Sequence, residues 1–274
     1  MDSHPTALQP RPRLLDARLE QDLERDGYVV APLLDAAAVS RLRAFFDGLD
    51  SDVHHQAFGS SLQSRDIEYR QAVDRELKAV FALHTGRLFN RYRVCFANFT
   101  LKQPRNLLGE MPFHQDPAFV DETRYQSLGL WCPLVDVDVE NGCLCAVPGS
   151  HNLNRGPRGP FTSFPYEDFV PLIRERYLRP VPMKAGEAFV FCQKVFHTSG
   201  PNRGGATRPV ATALLAPEGV PLRFYHQRGD TMEVYAVDDL FYTRHILGSE
   251  PQGATLIGTI DYTYEPLSAE RLAG

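Results

Sequence analysis

The chain reads as a mainly β protein, a barrel or sandwich flanked by helices, and three observations predict it. Helical periodicity is confined to the part before Arg91. Beyond Arg91 the apolar residues alternate in short runs, as half-buried strands do. Prolines and glycines at Pro104, Pro112, Gly142, Pro148 and Gly186 cut those runs apart. Many short strands after a few helices, in one stretch of 274 residues with 43% hydrophobic content, suit one core and a single domain over 1–274.

The elements follow in order. Residues 1–13 are proline-rich and polar, a loose leader. From Leu14 to Arg25 charged and leucine positions alternate with helical period, and Gly27 closes the helix. Tyr28-Val29-Val30 is a short strand. Asp35 caps a second helix whose Val39, Leu42, Phe45, Phe46 and Leu49 share one face. Residues 50–72 are polar and read as a long loop or cover, and a third helix occupies about 70–89. RVCFANFTLKQ is a strand with Val94, Phe96, Asn98, Thr100 and Lys102 on one face. GLWCPLVDVDV and GCLCAVPGS follow, then a charged insert at 152–180, then EAFVFC, KVFH and RPVATALLA.

Bulk properties narrow the function. A net charge of −5 with no lysine or arginine run argues against nucleic acid or an anionic membrane as partner. No apolar stretch is long enough for a signal peptide or a transmembrane helix. Cys95, Cys132, Cys143, Cys145 and Cys192 are odd in number and lie in strand-like surroundings, which suits buried free thiols in a reducing cytoplasm. A thiolate metal site on Cys143 and Cys145 is disfavoured, because their i, i+2 spacing is not the C-x-x-C of a zinc knuckle.

One constellation carries chemistry. His114 and Asp116 in MPFHQDPAF stand at i, i+2, which places an imidazole and a carboxylate on one face of an extended strand. A second imidazole, His197 in VFHTSGPN, would complete two nitrogens and one oxygen, the ligand pattern of non-heme Fe(II) oxygenases with open positions. His151, His226 and His245 are rival ligands. His151 sits in a PGSH turn suited to capping, and His226 is suited to a surface or substrate contact. Asp136, Asp138 and Glu140 alternate as a solvated strand face does.

Glu140-Asn141-Gly142 followed by Pro148-Gly149-Ser150-His151, with DGYVVAPLLDAAAVSRLR near the start and the His-x-Asp before a distal His, resembles the phytanoyl-CoA dioxygenase family of Fe(II)/2-oxoglutarate-dependent oxygenases, over about residues 20–217. The resemblance implies a double-stranded β-helix, a jelly-roll of cupin type. It implies His114, Asp116 and His197 as iron ligands, with 2-oxoglutarate and O2 as co-substrates and succinate and CO2 as by-products. It also implies that Arg208 binds the distal carboxylate of 2-oxoglutarate, assisted by the hydroxyl of Ser199. A guanidinium suits that role, since it forks onto a carboxylate and keeps its charge when buried. Asn98, Thr100 and Lys102 are alternatives for steadying the other end of the co-substrate, and Trp131 bounds the pocket. Because Asp116 is a carboxylate, where related halogenases have glycine or alanine, hydroxylation is expected over halogenation.

The expected partner is a small-molecule substrate, a natural-product intermediate or amino-acid derivative, met by a monomer or homodimer. Lid candidates are 50–72, 152–180 and the C-terminal tail. The insert's Arg155, Arg158, Arg174, Arg176 and Arg179 are either a contact for an acidic substrate or a solvated face. A redox-silent hydrolase or isomerase on the same barrel would have no need of a dicarboxylate anchor, and a non-catalytic binding barrel would have no need of a full ligand set.

Overall fold

A computed structural model describes residues 12–273. Helix α1 (Ala17–Asp26) starts where the Asp16 carboxylate accepts from the amides of Arg18 and Leu19. It stops at Gly27, whose φ of 79° only glycine adopts cheaply. A Cβ there would also stand 2.4 Å from His151 Nδ1. Strand β1 (Tyr28–Pro32), helix α2 (Ala36–Asp47) and helix α3 (Ile67–His84) complete the N-terminal layer. The predicted third helix thus begins earlier than residue 70, because Asp66 caps it through the amides of Glu68 and Tyr69, and it ends at His84, where a 3-10 turn over Thr85–Arg87 takes over.

The remaining strands are β2 (Phe58–Ser60), β3 (Tyr92–Lys102), β4 (Met111–His114), β5 (Leu128–Pro133), β6 (Leu144–Ala146) and β7 (Arg179–Val181). After them come β8 (Glu187–Cys192), β9 (His197–Ser199), β10 (Arg208–Pro217), β11 (Leu222–Arg228), β12 (Thr231–Val237) and β13 (Thr255–Asp261). A six-stranded antiparallel sheet runs β1-β8-β5-β10-β3-β2, and a four-stranded sheet runs β4-β9-β6-β7. Their facing side chains pack as one cluster, with Trp131, Phe189, Phe191 and Val210 from the first sheet and Leu144, Ala146 and Val181 from the second. This is the double-stranded β-helix.

Strand alternation decides what each face of the large sheet carries. Ala97, Phe99, Leu101, Ala211 and Ala213 point outward and pack under the helices. Asn98, Thr100 and Lys102 point the other way, into the barrel.

Several expectations change. Residues 50–72 are not an open loop: β2 pairs Phe58 with Lys102 at the sheet edge, and α3 begins within the segment. GLWCPLVDVDV is a strand only to Pro133, and the residue beyond it that bridges is Val137, opposite Met183. Asp136 pairs with Lys184 and Asp138 accepts from the amides of Glu140 and Asn141, so these acids shape a turn. The insert at 152–180 folds into short helical turns and ends in β7. The C-terminal tail forms a third sheet, β11-β12-β13, which packs Leu222 and Phe224 against Phe96 and Phe119.

The leader's residues 1–11 lie outside the described residues. Arg13 is held, donating to Glu20, Glu24 and Gln126. The five cysteines are free, four of them buried and Cys145 half-buried. Among the described residues no helix is long and apolar enough to cross a membrane.

Candidate metal centre and anion pocket

The pairing of β4 with β9 sets His114 opposite His197, with ring centroids 4.1 Å apart. Asp116 lies beyond the end of β4, so strand alternation alone does not place it. Its amide donates to Gln193 O at 2.9 Å, which ties it to the turn leading into His197. Asp116 Oδ1 then stands 3.6 Å from His114 Nε2 and 3.9 Å from His197 Nε2. The donor atoms of the three residues lie within 4.8 Å of one another, the only such group of histidines, cysteines and acids among the described residues.

The imidazoles are already in the tautomer a metal requires. His114 Nδ1 is 2.8 Å from Pro112 O and His197 Nδ1 is 3.0 Å from Val195 O. A carbonyl can only accept, so each Nδ1 carries a proton and Nε2 is the nitrogen left to face a metal. Burial and the neighbouring His114 push His197 down to about 4, so it is neutral. Burial works against protonation of His114 as well, but the adjacent Asp116 outweighs it and the net shift is upward. Asp116 is held below the usual carboxylate range: burial opposes this, and the neighbouring His114 together with the positive charge of Arg158 outweighs it. With His114 deprotonated, two imidazole nitrogens and one ionised oxygen on one side suit a first-row divalent ion with open positions.

Arg208 opens β10 and is 2% exposed, and its Nε and Nη1 have no hydrogen-bond partner. A buried guanidinium with unpartnered nitrogens costs free energy unless an anion fills the place. Its Cζ lies 5.1 Å from the Trp131 ring centroid. Burial pulls its pKa down to about 9, which leaves it charged at neutral pH.

Across the ladder Arg208 pairs with Lys102, whose Nζ donates to Ser199 Oγ at 2.7 Å, to Ser199 O at 3.0 Å and to Gly200 O. Ser199 and Lys102 are therefore engaged with each other beside the arginine. Further in, Asn98 Oδ1 accepts from Thr212 Oγ1 at 2.7 Å, and the buried Thr100 Oγ1 has no partner.

The rival histidines are elsewhere. His151 Nε2 accepts from Asn152 at 3.2 Å, His226 faces Glu250 at 3.9 Å, and His245 stacks on Phe241. Sequence reading missed Gln193, Phe191 and Gly129. Phe191 packs edge-on to His197 with centroids 5.3 Å apart, and it fits because residue 129 is glycine: a Cβ there would come 2.4 Å from its ring. Only the unusual glycine inside the apolar run GLWC pointed to a close approach.

Known proteins share this chain's family and fold. The profile of the phytanoyl-CoA dioxygenase (PhyH) family matches residues 23–210, more than half of the chain. Among curated relatives, phytanoyl-CoA dioxygenase domain-containing protein 1 of Danio rerio is 36% identical over 121 residues, covering 42% of this chain and 41% of that protein. A phytanoyl-CoA dioxygenase of Arabidopsis thaliana is 32% identical over 131 residues, covering 44% and 43%. The match therefore spans less than half the length of these relatives. Among solved structures, EvdO2 from Micromonospora carbonacea var. aurantiaca, complexed with 2-oxoglutarate, has a TM-score of 0.55 at 21% identity, covering 74% of this chain and 91% of that one. The carbocyclase SnoK from nogalamycin biosynthesis has a TM-score of 0.53 at 21% identity, covering 76% and 86%. At these identities the likeness is one of fold.

Proposed function

The chain belongs to the phytanoyl-CoA dioxygenase (PhyH) family, and on that premise we propose that it is a non-heme Fe(II)/2-oxoglutarate-dependent dioxygenase that hydroxylates a C–H bond of a small metabolite. One observation carries the reading. A His-Asp-His donor set shares a barrel with a buried guanidinium whose Nε and Nη1 lack partners. A redox-silent metalloenzyme has no use for the second feature.

His114 Nε2, Asp116 and His197 Nε2 would hold Fe(II). With 2-oxoglutarate and O2 as co-substrates, a metal held there would supply the oxidising chemistry for C–H cleavage, succinate and CO2 being the by-products. The chain's own residues bind, orient and exclude water. Arg208 offers two unpartnered nitrogens to the distal carboxylate of 2-oxoglutarate, a fork that reads a planar anion. Trp131 packs against the guanidinium and closes the pocket from the sheet side. Lys102 adds a second positive charge beside Arg208, held by Ser199. Thr100 has a free hydroxyl in the barrel to steady the other end of the co-substrate, whereas Asn98 is already engaged with Thr212. Phe191 and its neighbours keep the His197 side dry, which strengthens each of these contacts. Asp116, as a carboxylate, takes the position a halide would need, and this favours hydroxylation.

The test is anaerobic addition of Fe(II) and 2-oxoglutarate to the folded protein. A weak visible charge-transfer band is expected, lost in His114→Ala and in Arg208→Met. No band from the native chain, or a band that survives His114→Ala, sinks the reading. A metabolite screen scored by succinate formed above the uncoupled background would then name the substrate.

A further inference from the structure

Arg158 belongs to the arginine-rich insert and is 4% exposed. Its hydrogen bonds are already spent within the chain. Nε donates to the main-chain oxygen of Asp116 at 2.9 Å, and Nη1 donates to Gly156 O at 2.8 Å. Nη2 bridges both carboxylate oxygens of Glu122 at 2.8 Å each. The Arg158 carbonyl in turn accepts from the amide of Ala118 at 2.9 Å. The contrast with Arg208 is plain: one guanidinium is saturated, the other has nitrogens to spare. Arg158 is therefore not a substrate contact.

The stitching surrounds the one ligand that no strand holds. Asp116 has its amide fixed by Gln193 and its carbonyl fixed by Arg158, with Pro117 stiffening the next link. The neighbouring Gln115 is locked in parallel, its Oε1 accepting from Asn154 at 2.8 Å and its Nε2 donating to Lys194 O at 2.7 Å. The insert thus fastens two successive residues of the His-x-Asp motif.

We infer that Arg158, anchored by Glu122, is a positioning residue for the Asp116 carboxylate, and that this part of the insert is a brace for the metal site and not a lid. The inference rests on the Fe(II) reading above. Loss of the guanidinium leaves the carbonyl of Asp116 unanchored and removes a positive charge behind its carboxylate. Such outer partners of a metal ligand are worth about 10- to 100-fold in metal affinity.

A double-mutant cycle separates this role from general support of the fold. Fe(II) affinity is measured anaerobically by equilibrium titration, and melting of the metal-free protein is followed in parallel. Arg158→Met is expected to weaken Fe(II) binding about 10- to 100-fold, with Arg158→Lys recovering part of it. In an Asp116→Ala background the same substitution should change affinity by no more than about twofold, because the group it positions is gone. Equal losses in both backgrounds, or unchanged affinity in folded Arg158→Met, would overturn the inference. If Arg158→Met does not fold, Glu122→Gln is read in the same cycle: coupling to Asp116 supports the brace, and its absence overturns it. Should the native chain itself bind no Fe(II), the proposed function fails first, and that result is distinct from an absent coupling.

Discussion

Arg208 stands directly opposite Lys102 across the β3–β10 ladder, two buried cations with no ion-pair partner among the described residues. Cations so placed repel each other in a low dielectric and lose hydration, a cost the fold bears without a ligand. A dicarboxylate would relieve it.

The first prediction concerns that cost. 2-Oxoglutarate alone should raise the melting temperature, with about 2.7 kcal/mol of stabilisation at a hundredfold excess over Kd. Arg208→Met should abolish the response while leaving the ligand-free protein as stable as before, or more so, because an unpaired buried charge has been replaced by an apolar chain of similar length. A calorimetric scan with and without 2-oxoglutarate checks both halves. A Met variant that loses stability and keeps its response would refute the pocket.

The second is a pH dependence. Burial, with Arg208 adding to it and Glu110, Cys145 and Cys143 opposing it, lowers Lys102 from the usual 10.5 to about 7. Below that value both the folded and unfolded chains carry the proton. Between it and the usual value the unfolded chain holds a proton that the folded chain has released. Ligand-free stability should therefore climb with pH through this window. Binding of 2-oxoglutarate needs the charged ammonium, so its affinity should fall above about 7, by at most roughly tenfold per pH unit. Lys102→Met should flatten the slope measured by calorimetric titration. The Cys145 thiol is also drawn below its ordinary value, chiefly by the neighbouring Cys143 thiol, so Cys145→Ser serves as the control that keeps the slope.

Protons should also compete with the metal. His114 titrates above its ordinary 6.5, because the Asp116 carboxylate outweighs burial, whereas His197 at about 4 is already neutral. Fe(II) affinity is expected to weaken as pH falls through the raised His114 value, with no second step from His197 until much lower pH. Competition titrations with a chelator between pH 5 and 8 would show a single proton released per Fe(II) bound. Two protons released would contradict the assigned states.

A packing prediction follows from Gly129. Its alanine variant puts a Cβ about where the Phe191 ring now lies, 2.4 Å away, and Phe191 supports His197. Gly129→Ala should cost about 1–3 kcal/mol of stability and weaken Fe(II) binding. Shrinking the partner in Gly129→Ala/Phe191→Leu should restore part of both. Thermal melts and Fe(II) titrations of the single and double variants decide it, and additive losses would show that Phe191 is not the link.

Much of this site is legible in the order of residues. His114 and His197 stand in short apolar runs that read as strands, although the run before His197 folds as a turn and the strand starts only at that residue, and Arg208 opens a third. What such a reading overstates is local geometry. Alternation explains why Lys102, Thr100 and Asn98 share the inner face of β3, but not why Asp116, past the end of β4, faces the histidines.

By itself, then, the sequence determined the β architecture and the helical layer, because these depend on period and residue type, and its family resemblance singled out His114, Asp116, His197 and Arg208 as the expected site. Only the tertiary structure decided which arginines are free and which are spent. It set Lys102 against Arg208, gave Asp116 its anchors in Gln193 and Arg158, and made residues 50–72 part of the sheet edge. The physical reason is that a donor's partners are chosen by proximity between segments far apart in the chain, and no spacing along the sequence encodes which of them will meet.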